Sequence, residues 1–310
     1  MASLICGSLA YDTIMQFDGK FSDAILSDQL YQLNVAFLVP TLRREFGGCA
    51  GNIAYNLKLL GGEPCIMATI GQDGAPYLSR LTDQKIATDH IRTISDAYTA
   101  QAFITTDASN NQITAFHPGA MMQSHLNKVA DAGSVKFAIV APDGRDGMLQ
   151  HAHDCAAANI PFIFDPGQGL PMFNGTELRQ LIELASYVAV NEYEAELLME
   201  RTGLTAIQIA EQVSAFIVTQ SERGADIYHQ QQIIHIPGVP ADAIVDPTGC
   251  GDAFRAGMLY GLEQGMDWDT TGRVASVMGA IKIAHQGGQN HRPDQTEIAE
   301  RFFDIFGYRF

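Results

Sequence analysis

Four short apolar runs punctuate the second half of this chain: Phe137 to Val140, Pro161 to Phe164 ahead of Asp165, Tyr187 to Val190, and Ala215 to Val218 ahead of Thr219. Runs of this length without polar alternation predict strands buried on both faces. Between them the spacing turns helical, over Met148 to Ala158 and Glu192 to Arg201. Strands alternating with helices predict a mostly parallel sheet covered on both sides. Ligands gather at the carboxyl ends of such strands, and Asp165, Asn191, Thr219 and Asp246 each fall at or just past such an end.

The first half reads differently. Met1 to Gly7 has the pattern of a first strand, but from about Tyr11 to Arg44 the residues Phe17, Phe21, Leu26, Tyr31, Leu33, Val35, Phe37 and Leu38 keep no helical register. Tyr98 to Phe116 alternates like two strands, Ala102 to Thr105 and Ile113 to Phe116, with Ser109-Asn110-Asn111 as a hairpin tip. The stretches of about 12–46 and 96–120 predict a small β-rich lid on one α/β domain spanning residues 1–310. Ordinary edge strands of the main sheet are the other reading.

Charge narrows the partners. The chain has 35 acidic against 19 basic residues, a formal charge of -16, which excludes a general nucleic-acid-binding surface. A nucleotide can still bind through backbone amides, a few bases and a divalent cation. No stretch is long and apolar enough to span a bilayer, and the N-terminus lacks the basic region of a signal peptide. The five cysteines are dispersed with no CxxC pair, as expected of reduced thiols in a cytoplasm. His151, His153 and Cys155 are spaced two apart and share no helix face, so no zinc site is expected. Arg43-Arg44-Glu45 reads as a solvated charge run.

Three clusters carry candidate chemistry. Asp246-Pro247-Thr248-Gly249-Cys250-Gly251-Asp252 precedes a helical run. Glycines that open a helix let backbone N–H groups converge on an anion, and Asp252 beside them suits proton abstraction from an alcohol during phosphoryl transfer. An Asp at a helix start is equally an ordinary cap. Gly47-Gly48-Cys49-Ala50-Gly51-Asn52 again enters a helix, with Asn52 able to donate and accept toward sugar hydroxyls; close helix packing is the alternative. Asn191-Glu192-Tyr193-Glu194 follows a buried strand. Its Asn and Glu share one side of a first helical turn, to order water around Mg²⁺ or simply to cap the helix. Neither GxxxxGK[ST] nor GxGxxG occurs, which argues against P-loop and dinucleotide-dependent chemistry.

These clusters, in this order and with Gly61 and Gly71 at the expected spacing, resemble the two signatures and the Asn-x-x-Glu motif of the ribokinase-like (PfkB-type) carbohydrate kinases. The segments Gly7 to Asp12, Phe17 to Arg44, Phe116 to Met121 and Asp165 to Gln168 are similar to those of bacterial adenosine kinases and broader nucleoside kinases. The resemblance implies a ribokinase-like, Rossmann-type three-layer α/β/α body with a small β-sheet lid. It implies ATP-dependent phosphorylation of the 5′-hydroxyl of a purine nucleoside: adenosine, and also inosine or guanosine. By the same resemblance Asp252 is the catalytic base, and the amides of Gly249, Cys250 and Gly251 form an anion hole. Ser8, Asp12, Gly48, Asn52, Phe116 and Gln168 bind the nucleoside, with Asp12 on the ribose hydroxyls and Phe116 on the base. Asn191, Thr219, Gly224, Gly249 and Gly251 bind the nucleotide. Glu194 holds Mg²⁺ through water, K⁺ lies near Asp246, and pairing through the lid would give a homodimer.

The chain departs from the family pattern at three places. Cys250 stands where Ala, Gly or Ser is usual, Ser221 where Gly is common, and Ala102 where some relatives carry an aromatic partner for the purine. A kinase for free ribose or fructose is the rival within the class. A catalytically silent nucleoside-binding protein on the same fold is the rival outside it.

Overall fold

The computed structural model describes residues 2–25, 34–109 and 111–310. The chain runs β1 (Ala2–Cys6), β2 (Ala10–Gln16), a single helical turn α1 (Phe21–Ala24), β3 (Thr41–Gly47), α2 (Cys49–Leu59), β4 (Pro64–Gly71), α3 (Ala75–Asp83) and β5 (Ile91–Ile94). Strands β6 (Ala100–Thr106), β7 (Gln112–His117) and β8 (Val135–Val140) follow, then α4 (Arg145–Ala157), β9 (Phe162–Phe164), α5 (Gly175–Leu184), β10 (Tyr187–Asn191), α6 (Glu192–Thr202), α7 (Ala206–Ala210) and β11 (Ala215–Thr219). The chain closes with β12 (Gly224–His229), β13 (Gln232–Pro237), α8 (Cys250–Gln264), α9 (Trp268–Ile283) and α10 (Gln295–Phe306).

The main sheet has nine strands in the order β13-β12-β11-β10-β9-β8-β1-β4-β5. From β11 to β5 all neighbours are parallel, and the β12–β13 hairpin adds an antiparallel edge. The period of two sends alternate apolar residues to opposite sides. Ile5, Ile139, Ile163, Ala189 and Ile217 face α2, α8 and α9. Their neighbours Leu4, Val140, Phe164, Val188 and Phe216 face α4, α5 and α6. Continuous apolar strands between two helical layers make the three-layer body. The edge hairpin turns through Gln230 and Gln231, both with positive φ (48° and 63°), the conformation a two-residue turn of matching twist requires.

The second sheet has four strands in the order β3-β2-β6-β7. Its strands come from the two ends of the Tyr11–Arg44 segment and from the Tyr98–Phe116 segment. Leu26, Tyr31, Leu33 and the tip residue Asn110 lie outside the described residues. Asp107 organises the β6–β7 turn by accepting from the amides of Ser109 and Asn111, both at 2.8 Å, while its other oxygen takes the Phe21 amide at 3.0 Å. Register lines up Glu45, Asp12, Ala102 and Phe116 in one row across all four strands. Cross-strand partners share a face, so these four side chains rise from the same side of the sheet.

The expectation that Asp246 ends a strand fails: the residues before it, Ala243-Ile244-Val245, form none, and Ile244 is 85% exposed. Asp246 is therefore on a loop rather than at a strand end. Too little apolar surface is buried there to hold an extended segment against the sheet.

Candidate functional site

Two helix N-termini meet at the mouth between the sheets. Gly249 (φ 79°) opens α8, and Gly48 (φ 85°) opens α2. Both positions need glycine, and at Gly48 a Cβ would also stand 2.5 Å from the Ser8 carbonyl oxygen. At their junction the Asn52 side-chain amide donates to an Asp252 carboxylate oxygen at 2.8 Å. Asn52 is itself held by the Gln289 amide at 3.1 Å. Burial raises the Asp252 pKa to about 6, and the repulsive Asp165 adds to that, against the Asn52 hydrogen bond and the attraction of Arg255. One turn further along α8, Arg255 grips Asp165 through Nε (3.1 Å) and Nη2 (3.3 Å), both side chains buried. The pair fixes the strand β9 terminus to the helix that carries Asp252.

The anion cradle is narrower than the sequence suggests. The Cys250 amide donates to the Pro247 carbonyl at 3.1 Å, so it is already engaged. A Cβ on Gly251 would meet nothing within 4 Å, which leaves the first turn of α8 open on that side. A helix N-terminus with unengaged amides favours an anion. The Cys250 thiol is pushed up to about 11, chiefly by burial, and stays neutral at pH 7.

Across the mouth, Asp12 projects from β2. Burial, then the charges of Asp246 and Glu45, raise its pKa to about 6. A Cβ at Gly47 would lie 2.4 Å from an Asp12 oxygen, so that glycine makes room for the carboxylate. Phe116 is 49% exposed in the same register row, with Ala102 between them leaving its face uncovered. Ser8 is buried, and its hydroxyl accepts the Cys49 amide at 3.2 Å, capping α2. Gln168 is exposed on the turn after β9.

On the same edge of the sheet as Asp165, at the end of the parallel strand β10, Asn191 and Glu194 form a reciprocal capping box on α6, each bond 2.8 Å. Their spacing serves the helix, and the Glu194 carboxylate lies within the field of the Asp165–Arg255 pair. Burial raises its pKa. Thr219 ends β11, its hydroxyl 3.4 Å from the Val190 carbonyl. Ser221 has φ 53°, the left-handed region where glycine is the usual occupant. Gly224 sits where a Cβ would be 2.0 Å from the Ile236 carbonyl, so it serves the β12–β13 packing.

Several contributors carried little signal in the sequence. Glu45, expected to be solvated, receives the Asn290 amide at 2.8 Å and faces Asp12. Arg44 lies over the Tyr11 ring, 3.6 Å from its centroid, and pairs with Asp73 at 3.3 Å. The Gly287-Gly288-Gln289-Asn290 turn supplies the partners of Asn52 and Glu45. A glycine pair followed by two amide side chains directly after an apolar helix was the available clue.

Residues 13–295 match the pfkB family of carbohydrate kinases. The chain belongs to that family. Among solved structures, the nucleoside kinase of Burkholderia thailandensis in complex with inosine is 56% identical, with a TM-score of 0.91 over 99% of each chain. A nucleoside kinase of Methanocaldococcus jannaschii is 29% identical over 271 residues, 86% of this chain and 89% of that protein. A ribokinase of Thermotoga maritima shares the fold at 21% identity, with a TM-score of 0.81 over 98% of this chain and 99% of that one. This pfkB kinase thus has the ribokinase-like α/β architecture, and its two signature clusters are the two helix starts that meet at Asp252 and Asn52.

Proposed function

We propose that this kinase transfers the γ-phosphoryl group of ATP to the 5′-hydroxyl of a purine nucleoside. The observation that supports the reading is the register row that puts Asp12 and the exposed ring of Phe116 on one face of the second sheet, with Asp12 within the field of Asp246 on the loop before α8. A carboxylate suits a ribose diol, and an aromatic face suits a base. A free sugar would use the first and leave the second unemployed. The similar B. thailandensis enzyme was solved with inosine and with ADP-inosine, in line with a nucleoside acceptor and an adenine nucleotide donor.

In this mechanism the nucleoside oxygen attacks the γ-phosphorus, the bond to the bridging oxygen of ADP breaks, and the hydroxyl proton passes to Asp252. Asn52 holds one Asp252 oxygen and so aims the other. A carboxylate is a weak base for an alcohol, so proton transfer follows the onset of P–O bond formation. The free N–H groups of the first α8 turn stabilise the charge on the transferring group. Closure of the second sheet over the sugar would exclude water, which otherwise competes as acceptor.

No cluster of three ligating side chains exists among the described residues. Mg²⁺ fits this donor set, because it keeps most of its waters and takes one or two carboxylates plus phosphate oxygens. Glu194 would hold such a hydrated ion, which would neutralise phosphate charge. K⁺ near Asp246 does not fit. Both Asp246 carboxylate oxygens accept backbone amides at 2.9 Å, and its carbonyl already binds an ammonium group.

No helix among the described residues is long and apolar enough to cross a membrane, and we place the enzyme in the cytoplasm, where ATP is supplied. The face of the second sheet opposite Asp12 carries exposed Leu42, Phe103 and Ile113. We assign it to pairing between two copies; a monomer in sedimentation at micromolar concentration would refute that.

Turnover with adenosine, inosine, guanosine, ribose and fructose under MgATP tests the central reading. Phosphorylation of one or more purine nucleosides at the 5′-oxygen is expected. Activity confined to free sugars, or nucleoside binding by calorimetry with no phosphorylation, would overturn it.

A further inference from the structure

We propose that the ammonium of Lys282 is a built-in monovalent cation for the anion-binding loop, standing where a diffusible ion would otherwise bind. Lys282 lies in the last turn of α9 and its side chain is fully buried. Lysine is rarely buried without a carboxylate partner. Among the described residues no carboxylate forms an ion pair with this one; its Nζ donates to the Asp246 carbonyl at 2.7 Å and to the His285 carbonyl at 3.0 Å. A cation enclosed by main-chain carbonyls is the coordination pattern of a potassium-like ion, supplied here on a covalent stem.

The location decides what such a cation can do. The same loop is stitched to the end of α9 by the Val245 and Asp246 amides, which both donate to the Ile283 carbonyl at 2.9 and 3.2 Å. The Asp246 carboxylate binds the Gly287 amide on one side and the Thr248 amide on the other. Lys282 thereby locks residues 245–248 against 283–287. The next residue along, Gly249, opens α8 and sets the direction of the amides beside Asp252. Lys282 touches none of the reacting groups, so it is a positioning residue. A lysine that merely caps the carbonyl end of α9 would make the same two bonds. What separates the roles is whether nucleotide binding depends on the charge, and whether a free ion can replace it.

The experiment uses the full chain and two readouts. Calorimetry with Mg²⁺ and β,γ-imido-ATP gives Kd in choline chloride and in KCl; turnover of a purine nucleoside gives kcat in the same salts. Only the turnover readout rests on the proposed function, so an enzyme that phosphorylates no nucleoside would still report through Kd. For the native chain, Kd and kcat should agree within twofold between the salts; a fivefold gain in KCl would overturn the proposal. Lys282→Ala should weaken nucleotide binding at least tenfold in choline and recover at least fivefold in KCl or ammonium chloride. Native binding in choline, or a loss that no small cation repairs in a folded variant, would overturn it. If the alanine form does not fold, Lys282→Met fills the space without charge. It should bind the nucleotide at least tenfold more weakly in both salts, and native affinity in that variant would refute the role.

Discussion

Replacing Asp252 by Asn should make the protein inactive and more stable at once. The carboxylate pKa is raised from 3.8 to about 6, mainly by burial. A rise of about 2 units corresponds to about 3 kcal/mol against the charged form in the folded state, at 1.36 kcal/mol per unit. Asp252 keeps some solvent contact, so screening reduces the expected effect to about 1–3 kcal/mol. The sign follows from linkage: with the folded pKa above the unfolded one, the proton-linked stability is complete below about pH 3.8 and is lost as pH rises through about 6. The Asn side chain keeps an oxygen to accept from Asn52 and carries no charge. Urea unfolding of both proteins from pH 4 to 8 should therefore show no gap at pH 4 and a gap favouring Asp252→Asn that is full by pH 8. For a chain of this length the gap amounts to roughly 2–5 °C in Tm. Asp12 titrates in the same range but is common to both proteins and cancels in the difference. Turnover should fall roughly 100- to 10,000-fold. A gap independent of pH, a less stable variant at pH 8, or retained turnover would each refute the reasoning.

Gly251→Ala should raise Tm through a gain of about 1 kcal/mol in helix propensity. Its methyl enters open space in front of the α8 amides, so MgATP turnover should fall at least tenfold; unchanged KM and kcat would remove those amides from the site. Gly48→Ala should destabilise by more than about 2 kcal/mol, because its Cβ would press on the backbone of Ser8 and Ala10 at positive φ; chemical denaturation measures it, and native stability would contradict the packing. Phe116→Ala should leave stability within about 0.5 kcal/mol yet raise the nucleoside KM by the roughly 10- to 100-fold that loss of a stacking face implies. An unchanged KM would place the base elsewhere. The native kcat/KM for the nucleoside should fall at least tenfold per pH unit below about 6, as Asp252 and then also Asp12 take up protons; a flat acid limb would argue for another base.

The parallel body was legible because β9, β10 and β11 are short apolar runs that stop at Asp165, Asn191 and Thr219, and β8 is apolar from Phe137 to Val140. The two glycine clusters were legible as helix starts for the same local reason. What spacing could not decide was occupation. Asn191 and Glu194 sit three apart, a distance that fits a capping box and a ligand pair equally well, and the structure uses it for capping. Nothing in the spacing singles out Arg255 or Lys282. Only packing revealed that one is buried against Asp165, ninety positions away, and the other against main-chain carbonyls. Ala243 to Val245 misled because three apolar residues are too few to tell an exposed loop from a strand.

The row formed by Glu45, Asp12, Ala102 and Phe116 also limits how the gene can change in length. Strand β2 leaves the body after only Gly7-Ser8-Leu9. One codon lost or gained there shifts the strand by a residue and turns Asp12 to the far side of the sheet, with Tyr11 or Thr13 in its place. The same holds between Thr99 and Ala102 and along β7 up to Phe116. Substitutions at these connections can be tolerated one by one, whereas a single-residue insertion or deletion would remove a whole strand's contribution to the cleft. Within the second sheet, a change of length is thus least costly at the distal turn between β6 and β7, away from the body.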